Sequence, residues 1–109
     1  MATSQSDGSQ TAVISTEHTL QTITSAGSYV LTVDTNNMAL ADKLTLRAKL
    51  KVRSVGATRL VYTASYAHVQ GEPVKISIPI AAVNECVFTL EQTAGTGRTY
   101  NWEIVQIDA

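Results

Sequence analysis

Hydrophobic and polar residues alternate along most of this chain. The clearest case runs from Lys43 to Arg53, where every second residue is apolar. The apolar positions are Leu44, Leu46, Ala48, Leu50 and Val52, and the positions between them are Lys43, Thr45, Arg47, Lys49, Lys51 and Arg53. Strict alternation is typical of a half-buried β-strand, because successive side chains of a strand point to opposite faces. The segment therefore predicts one strand with an apolar face and a basic face.

The same two-residue period recurs through the chain from residue 12 onward. Clear segments lie at 29–34, 60–68, 74–80, 87–91 and 100–105, and weaker ones lie at 12–15 and 18–24. Turn-forming residues separate them at 70–73 and, as predicted hairpins, at 25–28, 55–58 and 94–97. About seven or eight short antiparallel strands predict an all-β fold, an antiparallel β-sandwich for which a jelly roll is one candidate topology. Pro79 lacks a backbone donor, so its strand is predicted to lie at an edge or to contain a bulge.

Residues 1–11 differ from the rest of the chain because they are small and polar. Such a segment buries too little apolar surface to offset the entropy that it loses on ordering. We therefore predict a flexible polar N-terminal arm at residues 1–11, which becomes ordered against a partner, and a single β-sandwich domain at residues 12–109. A chain of 109 residues is the usual size of one domain.

Composition and charge exclude several classes of partner. The net charge is −1, whereas a general nucleic-acid binder needs a surplus of Lys and Arg to replace counterions. No apolar run is long enough to span a membrane, so we expect neither nucleic acid nor membrane as a partner. The first residues lack the basic start and apolar stretch of a secretion signal, which predicts synthesis in the cytoplasm.

Candidate chemistry is sparse, and we expect no enzyme, no cofactor and no metal. Two histidines, His18 and His68, have no nucleophile or acid in a catalytic spacing around them. The single cysteine, Cys86, excludes an internal disulfide and a multi-cysteine metal site, and its apolar neighbours predict a buried, inert thiol. The Gly95–Arg98 segment lacks the spacing of a phosphate-binding loop and is interpreted as a turn.

The basic face of the central strand, here called the basic stripe, comprises Lys43, Arg47, Lys49, Lys51 and Arg53. Neighbouring cations on one face of a strand lie about 6.7 Å apart and repel by roughly 0.6 kcal/mol in water. Glu91 and Glu103 are candidates for cross-strand compensation, and lysines also protect edge strands from aggregation. The alternatives are an acidic protein surface or, with less support from the net charge, a nucleic acid.

Aromatic residues form two same-face pairs, Tyr62 with Tyr66 and Tyr100 with Trp102. An exposed pair of this kind could stack on sugar rings. Such residues also fill the core of a small sandwich or anchor a protein interface. Both interpretations stay open at the level of the sequence.

Two stretches of the chain carry a family resemblance. They read HTLQTITSAGSYVLTVDTNNMALADKLTLRAKLKV and CVFTLEQTAGTGRTYNWEIVQID. Their recurring features are the Ala-Gly-Ser-Tyr hairpin, the Val33-Asp34 strand end, the Leu-Thr-Leu-Arg strand and the Thr-Leu-Glu-Gln-Thr-Ala-Gly-Thr-Gly-Arg turn. In these features the chain resembles small β-sandwich structural proteins of tailed bacteriophages, over most of residues 17–108.

The resemblance implies a virion structural protein, most similar to a head decoration (cement) protein. Such a protein binds the outside of the expanded capsid, staples neighbouring major capsid subunits, and is commonly a homotrimer. Its expected location is the capsid surface of the virion, after synthesis in the host cytoplasm. A tail or baseplate component and a carbohydrate-binding module that uses Tyr62, Tyr66 or Trp102 are the alternatives.

No individual functional residue follows from the resemblance, so the partner contacts are predicted from charge, exposure and pattern. The polar arm and the basic stripe are expected at contacts between subunits, together with the tyrosine pair. The predicted interface residues are Ser4, Gln5, Ser6, Arg47, Lys49, Lys51, Arg53, Tyr62 and Tyr66.

Overall fold

The computed structural model describes residues 2–107 as nine strands in two antiparallel sheets that pack as a sandwich. This confirms the predicted all-β fold class. The described residues contain no helix, and so none that could cross a membrane. The strands are β1 (Thr3–Thr11), β2 (Glu17–Ile23), β3 (Gly27–Asp34), β4 (Lys43–Lys51), β5 (Thr58–Ala67), β6 (Val74–Ile76), β7 (Ile80–Ala82), β8 (Glu85–Ala94) and β9 (Thr99–Gln106).

Neighbouring strands in each sheet are mostly distant in the sequence. The first sheet has the order β1-β9-β3-β6, with β7 also paired to β3, and the second sheet has the order β2-β8-β4-β5. This order matches a jelly roll when β6 and β7 are counted as two halves of one strand. Only the turn at 55–58 joins neighbouring strands, β4 and β5, as a hairpin. The turns at 25–28 and 94–97 instead lead from one sheet to the other, so those two hairpin predictions are wrong.

The inner faces of the two sheets form one core, as the alternation predicts. Most strands contribute alternate residues and both sheets contribute large side chains, whereas β1 and β6 contribute no buried hydrophobic residue. The fully buried hydrophobic residues on β3, β4, β8 and β9 include Tyr29, Leu31, Val33, Leu44, Leu46, Ala48, Phe88, Leu90, Tyr100 and Ile104. Cys86 belongs to this core, and burial raises the pKa of its thiol to about 11. The thiol is therefore protonated at neutral pH and is not a nucleophile.

The N-terminal segment is part of the sandwich, which differs from the prediction of an arm outside it. Residues 3–11 form β1, which pairs with β9 from Thr3 opposite Gln106 to Thr11 opposite Thr99. A strand at a sheet edge is held by backbone hydrogen bonds, which need no apolar side chains, so the apolar pattern gave no sign of it. Gly8 lies beside the indole of Trp102, where a Cβ would be 3.2 Å from the ring.

The segment around Pro79 is broken, in agreement with the prediction of an edge strand or bulge. Strand β6 ends at Ile76 and β7 begins at Ile80, and both lie at the same edge beside β3. Ser77 points inward between them. Its backbone N–H donates to the carbonyl of Leu31 at 2.9 Å, and its hydroxyl accepts from the Leu31 N–H at 2.9 Å. The serine thus replaces the backbone pairing that the proline interrupts.

A buried carboxylate, Asp42, fixes the connection between β8 and β9 at one end of the sandwich. Its Oδ2 accepts from the Arg98 Nε and from the Ala39 N–H, both at 2.9 Å, and its Oδ1 accepts from the Thr96 N–H at 3.1 Å. Gly95 has a φ of 86° and passes directly over this residue, since a Cβ there would lie 2.7 Å from the Asp42 Cα. Only glycine fits at this position.

The side chain of Gln92 is also fully buried, and it forms hydrogen bonds with backbone groups of the same connection between β8 and β9. Its Nε2 donates to the carbonyls of Ala94 at 3.0 Å and Thr96 at 2.7 Å. Its Oε1 accepts from the Arg98 N–H at 3.1 Å and from the Tyr100 hydroxyl at 2.9 Å. Every polar atom of the amide is therefore used, as a buried polar group requires.

Replacement of Asp42 by Asn should destabilise the protein by about 2 kcal/mol at neutral pH, because it removes the charge that balances Arg98. Burial opposes ionisation of Asp42, but the hydrogen bonds from Ala39, Arg98 and Thr96 outweigh it and lower the pKa of the carboxyl. The stabilisation is then complete above the usual aspartate pKa, near 4, and is lost as the pH falls through the lower native value. Urea unfolding at pH 7 and pH 3 measures both effects.

The matched control is Glu72→Gln, because Glu72 is an exposed acid in the β5–β6 turn. This variant should unfold like the parent at both pH values. Equal pH dependence of the parent and Asp42→Asn would contradict the role given to the Asp42 carboxylate.

Candidate partner-binding surfaces

Four residues of the basic stripe lie on the outer face of β4, in the interior of the second sheet between β8 and β5, and Arg53 lies beyond the end of that strand. Three of its five cations, Arg47, Lys49 and Lys51, form ion pairs within the chain. Arg47 lies between two carboxylates, with its Nη1 2.7 Å from Glu91 Oε1 and 3.5 Å from Glu17 Oε2. Lys49 Nζ is 3.1 Å from Glu17 Oε2, and Lys51 Nζ is 4.0 Å from Glu85 Oε2.

The pairing shifts the ionisation of both partners toward their charged forms. The Thr89 hydroxyl, which donates to Glu17 at 2.6 Å, lowers the pKa of that carboxyl, and Lys49 and Arg47 lower it further against the effect of burial. The hydrogen bond to Glu91 raises the pKa of Arg47. The second sheet therefore neutralises most of the stripe internally, and an acidic partner is not needed to offset the repulsion.

The compensating carboxylates were predicted only in part. Glu91 is confirmed as a partner of the stripe, whereas the prediction of Glu103 is wrong because it lies on β9 in the other sheet. The edge-strand explanation is also wrong, since β4 has a neighbour on each side. Glu17 and Glu85 were missed, and only the strand order, in which β2 and β4 both flank β8, brings them to the stripe.

The other predicted contact residues are placed apart from one another. Arg53 is exposed in the turn after β4, where its carbonyl accepts from the Gly56 N–H at 2.9 Å. Ser4 is exposed on β1, next to an irregularity in the pairing with β9. Gln5 and Ser6 are half-buried there, and among residues 2–107 no hydrogen-bond partner meets the Gln5 Oε1 or the Ser6 Oγ.

The aromatic pairs pack inward. Tyr62 and Tyr66 lie on the inner face of β5 and pack against the core, as Trp102 does from β9. Burial and the neighbouring Tyr62 raise the pKa of Tyr66, and Lys75 Nζ lies 4.9 Å from the centre of its ring. Tyr100 is fully buried. The interpretation of these residues as core is confirmed, since Tyr100 is fully buried and the other three are half-buried against the core.

The histidines support loops. His18 Nε2 accepts from the Val13 N–H at 3.0 Å, and His68 Nδ1 accepts from the Ala41 N–H at 2.9 Å. No group of three or more His, Cys, Asp or Glu side chains within residues 2–107 is arranged to hold a metal ion. Each histidine thus accepts a hydrogen bond from a loop backbone N–H group.

Apolar side chains are exposed along the outer edge of the first sheet, next to β3. Val74, Ile76 and Ile78 point outward there and are 57%, 62% and 52% exposed, and we call them the apolar edge. Lys75 and Ser77 alternate with them and point the other way. Exposed branched side chains in a row are typical of a protein-binding surface.

A groove of about 500 Å³ crosses the outer face of the first sheet and reaches this edge at Val74. Strands β1, β9 and β3 form its floor. Its polar lining residues include Asp7, Thr32, Asp34, Asn101 and Glu103. The apolar edge and the groove are thus continuous and lie on the face opposite the basic stripe.

Comparison with known proteins does not assign this chain. No protein-family model, no curated protein and no solved structure matches it.

Removal of the Arg47–Glu91 contact should have a small, salt-sensitive effect on stability. We expect a double-mutant cycle with Arg47→Met and Glu91→Gln to give a coupling of about 1 kcal/mol, because both groups keep some contact with solvent. In 1 M NaCl, where the screening length falls to about 3 Å, the coupling should decrease. A coupling of zero at low salt would show that the stripe is not neutralised in this way.

Proposed function

We propose that this chain is a structural protein of a tailed-bacteriophage virion, a decoration protein that binds the outside of the expanded head. The observation that carries the proposal is the apolar edge. Its three branched side chains are exposed, whereas the other large side chains named above pack into one core. A rigid domain with one adhesive edge is suited to hold other subunits together. The sequence resemblance to phage β-sandwich proteins supplies the major capsid protein as the partner.

Binding to assembled capsid subunits would stabilise the capsid by mass action. A protein that binds the expanded lattice and not its precursor stabilises that lattice by the free energy of binding. A homotrimer would present three apolar edges at once, so that weak contacts reinforce one another through effective concentration. The open side of β6 also offers backbone groups for strand pairing with a capsid subunit.

The other candidate functions have less support. A tail or baseplate protein could have the same fold. Only the location of the protein on the particle distinguishes that alternative from a head protein. A carbohydrate-binding module needs accessible aromatic rings, whereas Tyr62, Tyr66 and Trp102 pack against the core. We therefore retain the head decoration protein as the proposal.

The double variant Val74→Thr/Ile76→Thr should weaken retention on expanded heads about tenfold, because it removes apolar surface but keeps β-branched strand residues. Cosedimentation with heads purified from the phage that encodes the chain measures retention, with purified tails as the comparison. The matched control is Val52→Thr/Val55→Thr, since both valines are 80% exposed and lie between β4 and β5, away from the apolar edge. Equal loss in both variants would contradict a specific apolar edge, and retention on tails alone would contradict the head location.

The isolated protein should sediment as a species of three times the 11.7 kDa chain mass. Sedimentation velocity at micromolar concentration measures this, and a monomer over the whole accessible range would contradict the trimer.

A further inference from the structure

Two carboxylates face each other directly in the groove on the first sheet. Asp7 on β1 is the register partner of Glu103 on β9, so their side chains leave the sheet on the same face, about 5 Å apart at Cβ. On the other side Glu103 is opposite Thr32 on β3, whose hydroxyl donates to the Glu103 backbone carbonyl at 3.0 Å. Like charges directly across two strands repel each other.

The second sheet contains the same arrangement with its compensation in place. Glu17 on β2 is the register partner of Glu91 on β8, and Arg47 lies between the two carboxylates at 3.5 Å and 2.7 Å. A guanidinium suits this position because its planar fork donates to two carboxylates at once. In the second sheet, therefore, an arginine balances the charge of a cross-strand carboxylate pair.

No such cation reaches Asp7 and Glu103 from within residues 2–107. The ion pairs of the described chain engage Arg47, Lys49, Lys51 and Arg98, and none involves either of these carboxylates. Lys75 lies over the ring of Tyr66 on the inner side. The groove therefore holds an uncompensated negative pair beside a cavity large enough for a side chain.

We propose that an arginine side chain of a protein partner enters this groove and bridges Asp7 and Glu103, as Arg47 bridges Glu17 and Glu91. Its aliphatic part would lie toward the exposed Val74, and the partner would continue along the apolar edge. This inference rests on the proposed function, from which it takes that the partner is a protein. It specifies a basic partner surface, the opposite sign to the one that the basic stripe predicts from the sequence.

Peptide titration of the isotope-labelled full chain by NMR tests the site without the particle. An acetylated hexaarginine peptide should shift the amide signals of Asp7, Asn101 and Glu103 more than those of Glu17 and Glu91. A hexalysine peptide should bind more weakly, because an ammonium lacks the planar fork. Shifts that centre on the second sheet, or equal binding of the two peptides, would overturn the proposal.

Charge-removing variants separate this groove from general attraction to acids. Asp7→Asn/Glu103→Gln should weaken hexaarginine binding about tenfold. Glu72→Gln, an exposed acid outside the groove lining, should leave it nearly unchanged. The groove variant should also melt at the same temperature as the parent or higher, because it relieves a repulsion. A lower melting temperature would indicate an internal partner for the pair and overturn the proposal.

The same variants on purified heads distinguish the two proposals. If the parent is retained on heads and Asp7→Asn/Glu103→Gln is retained equally, the arginine site is wrong and the decoration function stands. If the parent does not bind heads but hexaarginine maps to the groove, the decoration function is wrong and the arginine site stands.

Discussion

The connection between β8 and β9 is the constraint on which the two-sheet arrangement depends. Each of these strands is interior to its own sheet, so the four residues between them set how one sheet lies over the other. A crossing at that point buries backbone polar groups, and buried groups must find partners. Asp42 and Gln92 provide them, the first from the loop before β4 and the second from β8 itself. The core residues then need only fill the space that this connection defines.

The two outer faces use the charges of the chain differently. On the second sheet the cations of β4 and the carboxylates of β2 and β8 balance each other, so that face is nearly self-sufficient. On the first sheet the acidic groove and the apolar edge are next to each other, and residues 2–107 supply no balancing cation there. Specific protein contacts combine an apolar centre with polar groups that require complementary partners. The first sheet has both, and for this reason our proposal assigns partner binding to that side.

Period-two alternation was sufficient to predict the fold class, because the side chains of a half-buried strand must alternate. It located β3, β4 and β9 well, where Leu31, Leu46 and Ile104 lie among the inward residues. It could not find β1, whose inward positions are Ser6, Gly8 and Gln10 and carry no apolar signal. Nor could it separate a hairpin from a crossing at Gly95, since both need a residue with positive φ. The compensation of the basic stripe required the strand order, which no local pattern contains.

The first and last strands run side by side, and Thr3 is the register partner of Gln106. Directly paired residues of antiparallel strands have Cα atoms about 5 Å apart. Any polypeptide joined ahead of Thr3 or beyond Gln106 thus leaves from one corner of the sandwich. Two different polypeptides, one fused at each of these positions, would therefore lie next to each other. A short linker between the two positions would allow circular permutation, with new chain ends made elsewhere in the sandwich.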